Sequence, residues 1–102
     1  MTLLEEIIKE MKASKLSPNE CYAYILKVEQ KIKQDMDSLF EGLAGGQIHD
    51  ILSKIGYTKN LLNLVIESKG AFDYKKALKS AIIQLEDILV LYKKSGVSTV
   101  IS

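Results

Sequence analysis

The 102-residue chain contains no arginine and no tryptophan, one histidine, one proline and one cysteine. Each scarcity excludes something. All fourteen cationic side chains are lysine, whereas arginine is the residue that forks onto phosphate and guanine. With a net charge of only +1 the chain also lacks the basic excess of a nucleic-acid-binding domain, so no nucleic acid is expected as a partner. Cys21 has no second thiol to pair with, which places the chain by default in a reducing, cytoplasmic compartment. His49 has no second imidazole beside it and no Glu-x-x-His pair occurs, so neither a metal nor another cofactor is expected. Apolar runs such as Ala81 to Ile83 and Ile88 to Tyr92 fall far below the ~20 residues of a membrane span. Glu5, Glu6, Lys9 and Glu10 interrupt the place where the core of a signal peptide would stand.

What the chain does have is apolar spacing of helical period, opened or closed by explicit caps. Thr2 with Glu5 three residues on reads as a capping box ahead of Leu3, Leu4, Ile7, Ile8 and Met11. Ser17-Pro18-Asn19-Glu20 is the clearest helix start, with proline at the first helical position and glutamate closing the box. Cys21, Ile25, Val28, Ile32, Met36 and Leu39 continue it as one long seam, with Asp35 close to the buried face. Gly42, Gly45 and Gly46 then mark a flexible connection.

A third helix is expected from Gln47 to Ser68 on Ile48, Ile51, Leu52, Ile55, Leu62, Val65 and Ile66. Gly56 inside it predicts a kink, a close helix–helix contact or a break, and Gly70 is the expected C-terminal glycine. The fourth helix opens at Asp73, carries Tyr74, Ala77, Leu78, Ala81, Ile82, Leu85, Ile88, Leu89 and Tyr92, and stops at Ser95-Gly96. The fold expected is all-α: an antiparallel up-down-up-down four-helix bundle over residues 1–96 with a short, irregular and flexible C-terminal tail, 97–102. The tail is β-branched and has no evident strand partner.

Catalytic constellations are thin. Asp35 and Asp37 stand on different helix faces, and Glu86 and Asp87 are chain neighbours rather than face partners. The glycines at 42, 45 and 46 follow no strand and precede no Gly-Lys-Ser/Thr, which rules out a phosphate loop. His49 is followed three and four residues on by Leu52 and Ser53, where a histidine phosphotransfer domain carries Lys and Gly. Cys21 occupies a core position on its helix and is expected to be inert.

Charge is unevenly divided. Residues 1–53 carry six lysines against nine acids, net −3, and residues 54–102 carry eight lysines against four acids, net +4. Such a dipole orients a protein on a charged partner or an anionic membrane surface.

The Leu3-Leu4-x-x-Ile7-Ile8 opening, the Ile48-to-Ile66 helix and the Leu78-to-Tyr92 helix running into a short tail from Gly96 together resemble the pediocin-like (class IIa) bacteriocin immunity proteins, the enterocin A immunity group. The resemblance spans the whole chain in architecture and contains no diagnostic motif. It implies a cytosolic, non-enzymatic protein that protects a cell from a membrane-permeabilising peptide. Protection acts on the mannose phosphotransferase permease once the toxin is bound there, and the C-terminal half largely sets which toxin is recognised. Many members are more basic than this chain.

The expected partner is accordingly the membrane-bound bacteriocin–permease complex, approached near the membrane surface by a monomer or weak homodimer. The candidate partner-binding residues are Lys75, Lys76, Lys79, Tyr92, Lys93, Lys94, Val97, Val100 and Ile101, the lysines steering and the tail adding apolar contact. The alternative is a helical homodimeric adaptor or regulator, associating through the wide apolar seam around Tyr22, Tyr24 and Leu26.

Overall fold

The computed structural model describes residues 1–101. Its chain order is β1 (Thr2–Leu3), α1 (Leu4–Lys12), α2 (Pro18–Gln34), α3 (Met36–Gly42), α4 (Gly45–Glu67), α5 (Tyr74–Ser95) and β2 (Val100–Ile101). It is mostly helical, with five helices where four are expected, and a single two-stranded ribbon. The extra helix comes from a break in the long second seam. Asp35 leaves helical geometry at φ −89°, ψ 2°, separating α2 from α3 while the backbone bonds around it persist. Asp35 N–H still donates to the Lys31 carbonyl at 2.9 Å, and Leu39 N–H to that of Asp35 at 2.8 Å.

The expected caps of α2 and α5 form. Ser17 Oγ accepts from Glu20 N–H at 3.2 Å while Glu20 Oε1 accepts from Ser17 N–H at 3.0 Å. These bonds hold the Glu20 carboxylate below its ordinary pKa. Asp73 Oδ1 accepts from Lys75 N–H at 2.9 Å, and Gly96 closes α5 in the left-handed region at φ 77°. Gly45 and Gly46 belong to the first turn of α4 rather than to a loop, and Leu43 between the helices is buried. After α4 both Lys69, φ 51°, and the expected Gly70, φ 96°, turn to positive φ. Helix α4 runs unbroken through Gly56, and a methyl group there would meet no atom within 4 Å beyond its own stretch of helix.

The tail is the main correction. Val100 and Ile101 pair antiparallel with Leu3 and Thr2, and Ile101 is only 4% exposed. Thr2 therefore caps nothing, and the N-terminal end of α1 is satisfied from across the molecule. Leu4 N–H donates to the Thr99 carbonyl at 3.0 Å, and Thr99 Oγ1 donates to Glu5 at 3.1 Å. The expectation of a flexible tail fails because its β-branched residues find a partner in the first strand. Ser102 lies outside the described residues.

Helix α5 organises the packing, since α1, α3 and α4 all lie against it. The Cys21–Tyr74 and Asp35–Tyr92 contacts join matching ends of α2 and α5, so these two helices run parallel. Lys12–Glu86 and Glu5–Thr99 set α1 in the opposite direction. An ion pair between Lys59 and Glu29, 3.1 Å, ties α4 to α2. The core between them is aliphatic, built on Ile7, Met11, Ile25, Ile32, Leu39, Ile51, Leu62, Leu85 and Ile88. Thr58, wholly buried in α4, satisfies its hydroxyl on the Lys54 carbonyl at 2.8 Å.

Candidate binding surface on the fifth helix

The nine residues expected to meet a partner divide into three groups. Lys75, Lys76, Lys79, Lys93 and Lys94 are exposed. They do not form one patch: nineteen residues of helix separate Lys75 from Lys94, about 28 Å along the axis. Tyr92 is 1% exposed and belongs to the core. Its position on the inward stripe decides this, and its hydroxyl is used internally. Val97 is half-buried against the core, Val100 is half-buried and Ile101 buried, the last two paired with β1, so the apolar residues of the tail are largely withdrawn from solvent.

The cationic end at the start of α5 has a defined shape. Between α1 and the first turns of α5 lies a groove of about 350 Å³. Ile82 and the edge of Leu78 provide its apolar floor over the wholly buried Met11, Tyr74 and Ser14 its wall, and Lys12, Lys75 and Lys79 its rim. Lys12 is anchored on Glu86 at 3.1 Å, while Lys75 and Lys79 have no ion-pair partner among the described residues. The two share a helix face at a spacing of four, so they repel one another. Lys75 and Lys76 also sit in a first turn that holds no acidic residue, at the positive end of the helix dipole. Lys12 is the member that sequence reasoning misses. Its lysine character is visible in the chain, but its proximity to Lys75 depends on the packing of α1 against α5.

Tyr74 is fixed from behind. Its hydroxyl donates to the Leu16 carbonyl at 2.9 Å and lies 2.9 Å from Cys21 Sγ. With the phenolic proton committed to Leu16, the thiol is the donor to the phenol oxygen. Burial pushes the Cys21 thiol above its ordinary pKa, the Tyr74 bond opposing and the nearby Glu20 reinforcing. Burial likewise raises Tyr74, with the Cys21 contact adding to it. Neither group is poised as a nucleophile in the native fold.

At the opposite end of α5 an open hollow of about 460 Å³ is lined by Ser38, Glu41, Gly42, Ser95, Gly96, Val97 and Ser98. Lys93 and Lys94 do not line it. Its tightest feature is structural: a methyl group at Gly42 would stand 2.6 Å from the Ser95 carbonyl oxygen, so α3 and α5 approach where only glycine fits.

Elsewhere, His49 is exposed, with Ser53 Oγ at 3.4 Å from Nε2. Tyr22 and Tyr24 lean on the core, leaving Leu26 as the exposed member of that group. Among the described residues no three His, Cys, Asp or Glu side chains gather closely enough to hold a metal ion. No helix among them is long and apolar enough to cross a membrane. Comparison with protein-family models, curated proteins and solved structures finds no match to the chain.

Proposed function

We propose that this chain is a non-enzymatic immunity protein of the class IIa bacteriocin type, acting in the cytoplasm on a membrane-bound toxin–permease complex. The observation that carries the reading is the lysine-rimmed groove at the start of α5. Lys75 and Lys79 stand there unpaired over an apolar floor, with Lys76 beside them. Exposed cations around an apolar depression suit a partner that presents acidic and apolar groups together. The net positive charge of residues 54–102 orients that face toward an anionic surface.

The same reading treats α2 and α3 as one interrupted rod, since a single residue, Asp35, separates them. Counted in this way the helices number four, as the resemblance implies, with the ribbon of β1 and β2 as a clasp. The working surface moves accordingly. The tail is a structural closure, and recognition lies with the first turns of α5.

Expression of the chain in a sensitive strain, followed by survival under class IIa bacteriocins, tests the proposal. Protection against at least one such peptide is expected. Survival no better than the empty-vector control against a full panel would overturn it. A gene for a small secreted peptide with a double-glycine leader is the expected genomic neighbour.

A further inference from the structure

We infer that the groove between α1 and α5 is a binding site for a single-chain anionic amphiphile, a fatty-acid carboxylate whose alkyl chain lies on the apolar floor. Three observations converge on it. The volume, about 350 Å³, lies within the range of small-molecule pockets, roughly 300–1,000 Å³. The floor is made by Ile82 and the edge of Leu78 over the buried Met11, apolar side chains lacking any group that would discriminate along a chain, with the Ser14 hydroxyl beside them. The rim is cationic, and its charges are held at a local cost.

That cost identifies the sign of the ligand. Lys75 and Lys79 repel across one helical turn, and Lys75 lies in the first turn of α5, where the helix dipole disfavours a cation. A carboxylate placed between their ammonium groups relieves both effects. Lys12 joins from α1 while remaining tied to Glu86, which keeps one cation in place at the mouth. Tyr74 is tethered through its hydroxyl to Leu16, so the wall is formed before any ligand arrives.

The dimensions favour an alkyl chain over a peptide helix. The floor follows α5 from Tyr74 to Ile82, about 12 Å of axis, and a helix segment of that length and 10–12 Å diameter would occupy about 1,000 Å³, far more than the groove holds. A helix would rest on the rim, leaving the floor unfilled. The site shares Lys75 and Lys79 with the face assigned above, but its test in purified protein stands apart from cell survival.

The experiment is a titration of the isotope-labelled chain with dodecanoate below its micelle concentration, followed by amide chemical shifts. Saturable shifts confined to Met11–Ser14 and Tyr74–Ile82 are expected. Dodecyltrimethylammonium, with the same chain and the opposite charge, is expected to leave those amides unmoved. Lys75→Gln/Lys79→Gln should weaken dodecanoate binding about tenfold. Lys76→Gln/Lys93→Gln removes the same net charge away from the groove and should change affinity less than twofold. Equal binding of the cationic amphiphile, equal loss in both double variants, or shifts centred on exposed Ile83 and Val90 would each overturn the site. So would binding of an acidic amphipathic peptide without uptake of dodecanoate. Groove shifts that follow protein concentration rather than ligand would assign the groove to a second copy of the chain, and would also contradict it.

Discussion

The hydroxyl of Tyr92 donates to Asp35 Oδ2 at 2.9 Å, joining the end of α5 to the residue where α2 gives way to α3. The same carboxylate oxygen accepts from Lys31 Nζ at 2.7 Å, and that ammonium lies 5.5 Å from the Tyr92 ring centroid. Three side chains thus close a half-buried triangle in which a phenol, a carboxylate and an ammonium satisfy one another. Helical spacing alone would carry α2 straight into α3. The triangle fixes Asp35 where the helix bends.

Removing the two ends of the Tyr92–Asp35 bond should not cost the same. Tyr92→Phe leaves Asp35 paired with Lys31, so a loss of about 1–2 kcal/mol is expected in urea unfolding. Asp35→Ala strands both a buried phenol and a mostly buried ammonium, and should cost about 2–4 kcal/mol. A larger loss in Tyr92→Phe than in Asp35→Ala would contradict this arrangement.

Burial, and then the Asp35 bond, raise the Tyr92 pKa above its ordinary value. The unfolded chain therefore releases this proton near pH 10 while the native protein retains it, and stability falls as pH rises above about 10. Urea midpoints between pH 9 and 11 should decline less steeply in Tyr92→Phe than in the parent. Parallel curves would show that Tyr92 does not carry the dependence.

Two glycine-to-alanine substitutions should move in opposite directions. At Gly56, inside α4 with open space where a methyl would go, alanine should add about 0.5–1 kcal/mol by helix propensity. At Gly42 the methyl would collide with Ser95 backbone atoms at 2.6 and 2.9 Å, and backbone cannot turn aside as a side chain can. A loss of about 1–3 kcal/mol is expected there. Melting temperatures of the two variants decide the matter, and a shared sign would refute the placement of one or the other.

How much of this was visible in the chain follows the range of each interaction. Ser17, Asp73 and Gly96 were legible because a cap is settled within three or four residues. Cys21 was legible as core because it lies on the stripe of its own helix. Thr2 reads as a cap in sequence, whereas its partner in the fold is Ile101, far away along the chain. Two-residue strands carry too little periodicity to announce such a pairing. Asp35 was seen near the seam, but its partner Tyr92 is fifty-seven residues away. The lysines of α5 were legible as exposed. Their division between two helix ends follows from helical rise, and the groove that Lys12 completes required the packing of α1.

The buried tail has a stability consequence. Ile101→Ala removes a side chain that is 4% exposed and packed in the core, and should cost about 2–4 kcal/mol. Deleting residues 97–102 should cost at least as much, because Leu4 N–H also loses the Thr99 carbonyl. Denaturation midpoints equal to those of the full chain would mean the clasp contributes nothing.

Cys21 is predicted to be slow toward an aromatic disulfide reagent at pH 8 in the native protein and fast once the chain is unfolded in urea. Burial and a raised pKa both deplete the thiolate. Rapid native labelling would require Cys21 to be far more accessible than its place under Tyr74 allows.

Under the proposed function, recognition lies at the first turns of α5 and not in the tail or at the far end of that helix. Survival of a sensitive strain under its cognate bacteriocin tests it most directly, comparing Lys75→Gln/Lys76→Gln/Lys79→Gln with Lys93→Gln/Lys94→Gln at matched expression and melting temperature. The first variant is expected to lose protection at least tenfold while the second retains it. Full protection by the first variant, with protection lost in the second, would contradict it.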